Sequence, residues 1–457
     1  MVYEHTLFVL GAYIIVLLAI GVFVSRKIST VESFFLANRN VGRIALIATL
    51  TGTVVGGSAT IATGKLIYLN GLPGLWLDIG GGLGLITFGV FLAKTVRKTG
   101  LVTLPEITGK LFDTRVRYAA AILIFLTQIA WVSLLIQGAQ LVLQVLLPWN
   151  VQWMLIGITI VFIAYTFLGG QIAVVYTDII QFLIMIIGVC CLAAPLLFIQ
   201  ALPQFTTIAA AQLQFPSNPH VGFVYIAALF SLGFMPHLIG PDIYSKILSA
   251  KDEKTARWGA IFSGVLKLVF AIAIGLISLA ALALHPGLEE AEAGLAIPLT
   301  VLSLPPVLAG IILAAFLSVM LSSADSVLVS AGTVLSVDIT KKNSILVSRI
   351  GIISVGFGAL ILALAFNDII KTLMFAYTIF TGGLILPILL GFYKEKTGIT
   401  SQSALWGLML GGGTGLVWLL FENPFGIDAV LVGMMISIIP YLIQKIFFVT
   451  TLQRKKN

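Results

Sequence analysis

Charge is what this sequence has least of: 10% of its 457 residues are Asp, Glu, Lys or Arg, against about 25% in soluble domains. Hydrophobic residues make up 59% and the mean hydropathy is +1.11, so the chain is an integral membrane protein. A span needs about 20 apolar residues, and spans joined by short connections use up the length without leaving a sizeable soluble domain. The two cysteines, Cys190 and Cys191, are adjacent in an apolar run. They cannot bridge each other or form a zinc set, and they read as small core residues. No Walker-type phosphate loop occurs either. These absences argue against an enzyme and against ATP-driven pumping by this chain.

Apolar runs fall near 6–25, 44–69, 72–93, 117–146, 151–168, 172–199, 220–247, 258–284, 305–336, 346–366, 370–393, 401–421 and 427–448, which predicts thirteen spans. The first run has no basic leader, since Met1-Val2-Tyr3-Glu4-His5 precedes it, and reads as a retained helix rather than a signal peptide. An odd count puts the termini on opposite sides. With the N-terminus outside, all of the 26 lysines and arginines except Lys65, Lys371 and Lys267 fall on inner segments, among them Arg26, Lys27, Lys246, Lys455 and Lys456. That bias predicts an N-out, C-in multi-pass protein of the cell membrane. It also accounts for the net charge of +8 without nucleic acid as a partner.

An unpaired amide in hydrocarbon costs several kcal/mol, so polar or breakable spans carry information. The second span contains Thr51-Gly52-Thr53-Val54-Val55-Gly56-Gly57-Ser58-Ala59-Thr60, and the seventh Gly233-Phe234-Met235-Pro236-His237-Leu238-Ile239-Gly240-Pro241-Asp242. Both look breakable near their middles. Their separation makes spans 2 to 6 and 7 to 11 two five-helix units of opposite orientation, each opening on a broken helix. Matching broken helices in inverted halves are the best sequence pointer to a transport site, although glycines can also serve only to let helices pack. In the ninth span Ser322, Ser326 and Ser330 recur every four residues beside Ser323 and Asp325, a hydroxyl stripe that suits a hard cation.

Specific motifs accompany these features: Glu32-Ser33-Phe34-Phe35-Leu36-Ala37-Asn38-Arg39, Thr103-Leu104-Pro105-Glu106, Gly169-Gly170 with Ala173-Val174 and Thr177-Asp178-Ile179-Ile180-Gln181, Lys246-Ile247-Leu248-Ser249-Ala250-Lys251-Asp252 and Ser322-Ser323-Ala324-Asp325-Ser326. From about 30 to 340 the chain thereby resembles the sodium/solute symporter family. The resemblance implies an all-α membrane fold of the leucine-transporter type. Its parts would be an N-terminal extra helix at 6–25, inverted repeats at 42–200 and 220–393, and two C-terminal helices at 401–448. It implies Na+ as coupling ion, with no organic cofactor, at a central site made of the carbonyls of Gly52, Val55 and Val319 and the hydroxyls of Ser322 and Ser323. A second cation site would use Asp178, Asp325 and Ser326; pairing of Asp178 with nearby lysines is the plainer alternative. Solute would bind between the broken helices, at Gly56, Gly57, Ser58, Phe234 and His237, with Gln128, Trp131 and Gln137 on span 4, Lys267 on span 8 and Tyr377 and Thr381 on span 11. The chain departs from the family's proline branch, which has an acid where Val54 stands and a tryptophan where Gly233 aligns.

The expected function is secondary-active symport: sodium moves inward with a small organic solute of amino acid, carboxylate, sugar or vitamin type, by alternating access, in a monomer within the lipid bilayer. Proton coupling through Asp178, Asp325 and His237 is the nearer alternative. A transporter-fold sensor is the more distant one, since sensors of this kind carry a long cytoplasmic extension and about nine residues follow the last predicted span.

Overall fold

The computed structural model describes residues 2–25, 30–366 and 368–454. Four basic residues of the charge pattern, Arg26, Lys27, Lys455 and Lys456, lie outside them. Among the described residues there is no strand, and the long helices are α1 (Val2–Ser25), α2 (Arg43–Val55), α3 (Thr63–Asn70), α4 (Trp76–Phe91), α5 (Thr114–Gln144), α6 (Val151–Met185) and α7 (Phe223–Ile239). After these come α8 (Pro241–Ser249), α9 (Glu253–Leu284), α10 (Pro306–Val334), α11 (Ile345–Ala365), α12 (Ile369–Phe392), α13 (Ser401–Leu420) and α14 (Ala429–Arg454).

Eleven helices are long and apolar enough to cross a membrane, or twelve when α2 and the segment after it count as one bent span. Thirteen were expected, and the difference lies at 151–207, where two predicted spans form one helical stretch of 57 residues. Within α6 only Gly170 leaves helical dihedrals, at φ 50° and ψ −168°. Large apolar side chains such as Phe8, Trp153, Phe223 and Ile361 are mostly exposed, as a surface facing lipid requires. The free cysteines belong to that surface: Cys190 is half-buried and Cys191 exposed, not core residues as expected, because lipid accepts a thiol as readily as a protein interior does.

Helix α10 runs through the centre and is buried along almost its whole length. Helix α1 packs on it as part of the bundle, through Thr6 Oγ1 to the Pro306 carbonyl (2.9 Å) and Ser318 Oγ to the Tyr13 hydroxyl (2.6 Å). Small residues decide where backbones touch. A Cβ on Gly411 of α13 would stand 2.1 Å from the Gly382 carbonyl of α12, and Gly433 of α14 approaches both, so α12, α13 and α14 meet backbone to backbone. Another such seam joins α4 and α7, where a Cβ on Gly233 would stand 1.9 Å from the Leu77 carbonyl. Gly233→Ala is therefore expected to force the helices apart at a cost of about 1–3 kcal/mol, visible as a lower melting temperature of the purified protein. An unchanged melting temperature would show that the seam yields freely.

Three long helices begin on acidic caps outside the apolar windows, α12 on Asp368 and two others with carboxyls bonded in the same way. Asp113 accepts from Val116 N (3.1 Å) and Arg115 N (2.9 Å), and Asp252 from Thr255 N (2.7 Å). Those amide hydrogen bonds hold both carboxyls below their usual range, so what the caps add to stability is lost only as pH falls through the lowered values.

Candidate functional site

The first breakable span is broken: α2 ends at Val55, Gly56 leaves helical geometry (φ 18°, ψ −171°), and a π-helical turn, Ser58–Ala62, leads into α3 at a bend of 56°. The second is interrupted rather than bent. Gly240 (ψ 124°) separates α7 from α8, and Pro241 brings no amide hydrogen to bridge the gap.

At the first break α10 supplies hydroxyls. Ser323 Oγ lies 3.0 Å from the carbonyl oxygens of both Gly52 and Thr53, so one side chain caps the open end of α2. Thr53 Oγ1 and Ser326 Oγ are 2.9 Å apart. Ser322, one residue before Ser323, points elsewhere and donates to Asp178 Oδ1 at 2.5 Å. A Cβ on Gly52 would stand 2.3 Å from that Ser322 oxygen, which explains why glycine stands at this contact. Val55 and Val319 are fully buried beside the group.

Asp178 is the hub of what lies next to it. It accepts from Thr49 Oγ1 and from Lys246 Nζ (3.0 Å), and Lys246 Nζ also donates to Thr49 Oγ1 (2.7 Å). Lysine and carboxylate are 1% and 0% exposed. The ammonium assigned by the charge pattern to an inner loop is therefore an intramembrane cation, already seated on the acid expected to hold a second ion. Asp325 stays apart: its Oδ1 accepts from Ser326 Oγ at 3.3 Å, and its buried Oδ2 has no partner.

Between the two interruptions lies a small cavity of about 60 Å³. Gly56, Gly57, Ser58, Trp131, His237 and Tyr377 line it as expected. Ser323 lines it too, so one hydroxyl belongs to both the carbonyl cluster and the cavity. Tyr377 donates to Ser58 Oγ (3.3 Å), and His237 Nδ1 donates to the Gly233 carbonyl (2.7 Å), an ordinary bond within its helix.

Five expected solute residues do not line the cavity. Gln128 is buried with its amide 3.5 Å from the Val327 carbonyl, Phe234 stacks on Phe230, and the Thr381 hydroxyl is buried without a partner. Gln137 bonds the Phe366 carbonyl and lines a separate hollow near Trp149. Lys267 donates to the Val54 carbonyl (2.7 Å) and to Asp78 Oδ1 (3.0 Å), behind the break. Three charged residues were missed as site candidates: Lys246, Asp78 and Asp242, the last of which lines the cavity. Asp78 and Asp242 could have been found by asking of each ionisable residue in a span what it pairs with.

Known proteins are similar to this chain in sequence and in fold. The sodium/proline symporter of Staphylococcus aureus (strain JH9) is 25% identical over 481 residues, covering 97% of this chain and 93% of that protein. In fold, the chain is similar to a Na+-coupled sialic acid symporter in a substrate-bound outward-open state, with a TM-score of 0.77, 21% identity and coverage of 96% of this chain and 97% of that one. It is similar also to MhsT in complex with L-phenylalanine (TM-score 0.57, 15% identity, 88% and 98% covered). These neighbours have the leucine-transporter-like fold. The description sodium:solute symporter family matches residues 34–411, a stretch that holds both helix interruptions, the hydroxyl cluster and the cavity, and the chain belongs to that family.

Proposed function

We propose that this symporter couples one sodium ion at the Ser323 cluster to a small organic solute in the adjoining cavity, by alternating access between the two sides of the membrane. The observation that carries the reading is the position of Ser323, whose hydroxyl meets the α2 carbonyls and also faces the cavity. An ion there would join α2 to α10 and shape the cavity wall in one event. Gly52, Thr53, Val55, Val319 and Ser323 supply carbonyl and hydroxyl oxygens, the donors a hard monovalent cation prefers, while Ser322, expected among them, is turned to Asp178. Lys246 acts as a tethered cation on Asp178, which leaves Asp325 and Ser326 as the remaining groups for any second ion. One ion crossing about 100 mV gains about 2.3 kcal/mol and a tenfold gradient adds about 1.4, enough for about 500-fold accumulation of solute.

The chain is read as N-out and C-in, with the 57-residue stretch crossing the membrane twice about a turn at Gly170. A single helix of that length would be about 85 Å long against about 30 Å of hydrocarbon. Units at 42–200 and 220–393 then form the inverted repeats. Proline as the solute has one argument against it. The proline branch has tryptophan where Gly233 aligns, and here the Leu77 carbonyl leaves no room even for a methyl group. A second reading, proton coupling, rests on the unpartnered Oδ2 of Asp325; uptake that follows a pH gradient in sodium-free buffer would favour it.

The test is thermal stability of the purified protein titrated with NaCl, against KCl and choline chloride at equal ionic strength. A saturable rise specific to sodium is expected. Identical responses to the three salts would remove sodium as the coupling ion.

A further inference from the structure

We propose that the cavity takes a solute with a positively charged nitrogen, held on the carboxylate of Asp242 against the rings of Trp131 and Tyr377. The assignment rests on the symport reading above, because it names the solute class of the same cavity.

Asp242 carries the argument. It lines the cavity at the interruption between α7 and α8 and is 8% exposed. No lysine, arginine or histidine among the described residues forms an ion pair with it. The two buried ammonium groups nearby are engaged elsewhere, Lys246 on Asp178 and Thr49 and Lys267 on Asp78 and the Val54 carbonyl. His237, the other ionisable group on the cavity wall, has Nδ1 committed to the Gly233 carbonyl. A carboxylate within the membrane is costly without a cation; backbone amides at Asp242 and Ile243 bond it at the start of α8, and Lys246 acts on it without forming an ion pair. The cation that completes it is the one that enters.

The neighbouring wall fits the same ligand. The rings of Trp131 and Tyr377 stand 5.8 Å apart at 66° and form a corner, and tryptophan is the aromatic face that attracts a cation most strongly. Trp131 is 8% exposed, and its Nε1–H, buried without a partner, is free to donate to an acceptor at the other end of the solute. A solute with charged nitrogen at one end and an acceptor at the other satisfies both. A neutral sugar leaves Asp242 uncompensated, and a simple carboxylate offers it nothing.

The experiment is a melting-temperature screen of purified wild type, Asp242→Asn and Trp131→Phe at saturating NaCl, with L-proline, glycine betaine, pyruvate and D-glucose as probes. At least one of the two probes with charged nitrogen is expected to raise the wild-type melting temperature further, and Asp242→Asn to raise the concentration needed by about tenfold or more. Trp131→Phe should do so by a smaller factor. Asp242→Asn is expected to keep its own sodium-specific rise, which shows that the variant is folded and its ion site intact. Binding of pyruvate or glucose that ignores Asp242→Asn overturns the proposal and leaves sodium symport standing. So does a wild type that responds to sodium but to neither charged-nitrogen probe. A wild type without any sodium-specific rise removes the symport reading, and this proposal with it.

Discussion

Replacing Lys246 by methionine is expected to cost the protein about 3–5 kcal/mol, because it strands the Asp178 carboxylate without its cation. Ammonium and carboxylate are 1% and 0% exposed and 3.0 Å apart, so no solvent screens what is lost. Two hydroxyls, Thr49 and Ser322, would remain on the acid, and hydrogen bonds from neutral groups do not replace a charge. The pair Lys246→Met with Asp178→Asn should recover most of the loss, since neutral residues of similar volume often substitute for a buried ion pair without penalty. The single variant also tests whether the acid still accepts an ion. Sodium is expected to restore part of its melting temperature and choline none. A Lys246→Met protein as stable as wild type in sodium-free buffer would mean that the buried pair does not hold the structure.

The second large effect is expected from Ser323→Ala. The change removes the hydroxyl that meets both the Gly52 and the Thr53 carbonyls, and with it a donor of the proposed sodium site. Apparent sodium affinity should fall at least about tenfold, or about 1.4 kcal/mol, in thermal titration and in sodium activation of uptake. Expression should fall far less. Ser354→Ala is the matched control: its hydroxyl bonds the Ile350 carbonyl on the outer face of α11, and its loss should leave sodium activation unchanged. Equal sodium activation in wild type and Ser323→Ala would remove the central-site assignment.

The family, the helical class and the position of the break in α2 were legible in the sequence because each rests on local features. Glycine and hydroxyl runs inside an apolar segment, the serine spacing and the motif set need no knowledge of distant contacts. What could not be read is helix rotation. Soluble helices show their inner face by amphipathicity, but a helix in lipid is apolar all round, so nothing in α5 separated Trp131, on the cavity, from Gln128 and Gln137, which are not. Thr381 and Lys267 failed for the same reason. Lys246 failed differently. Counting it as a loop cation gave a consistent charge pattern, and its partner lies 68 residues away on another helix. Asp242 stands as an ionisable group within a breakable span, but whether a helix partner neutralises it is a question only the packing answers.

The backbone contacts among Gly382, Gly411 and Gly433 have a mechanical consequence. Tyr377 stands on the cavity side of α12, while Gly382, at its rear, is pressed against two further helices with no side chain between. A joint of that kind has no compressible layer, so this flank of the binding chamber behaves as a stator. Compliance is left to the interruptions at Gly56 and Gly240, since α7 itself is seated backbone to backbone on α4. The protein is built like a vice with one fixed jaw, and a solute gripped by it does its work on the hinged side.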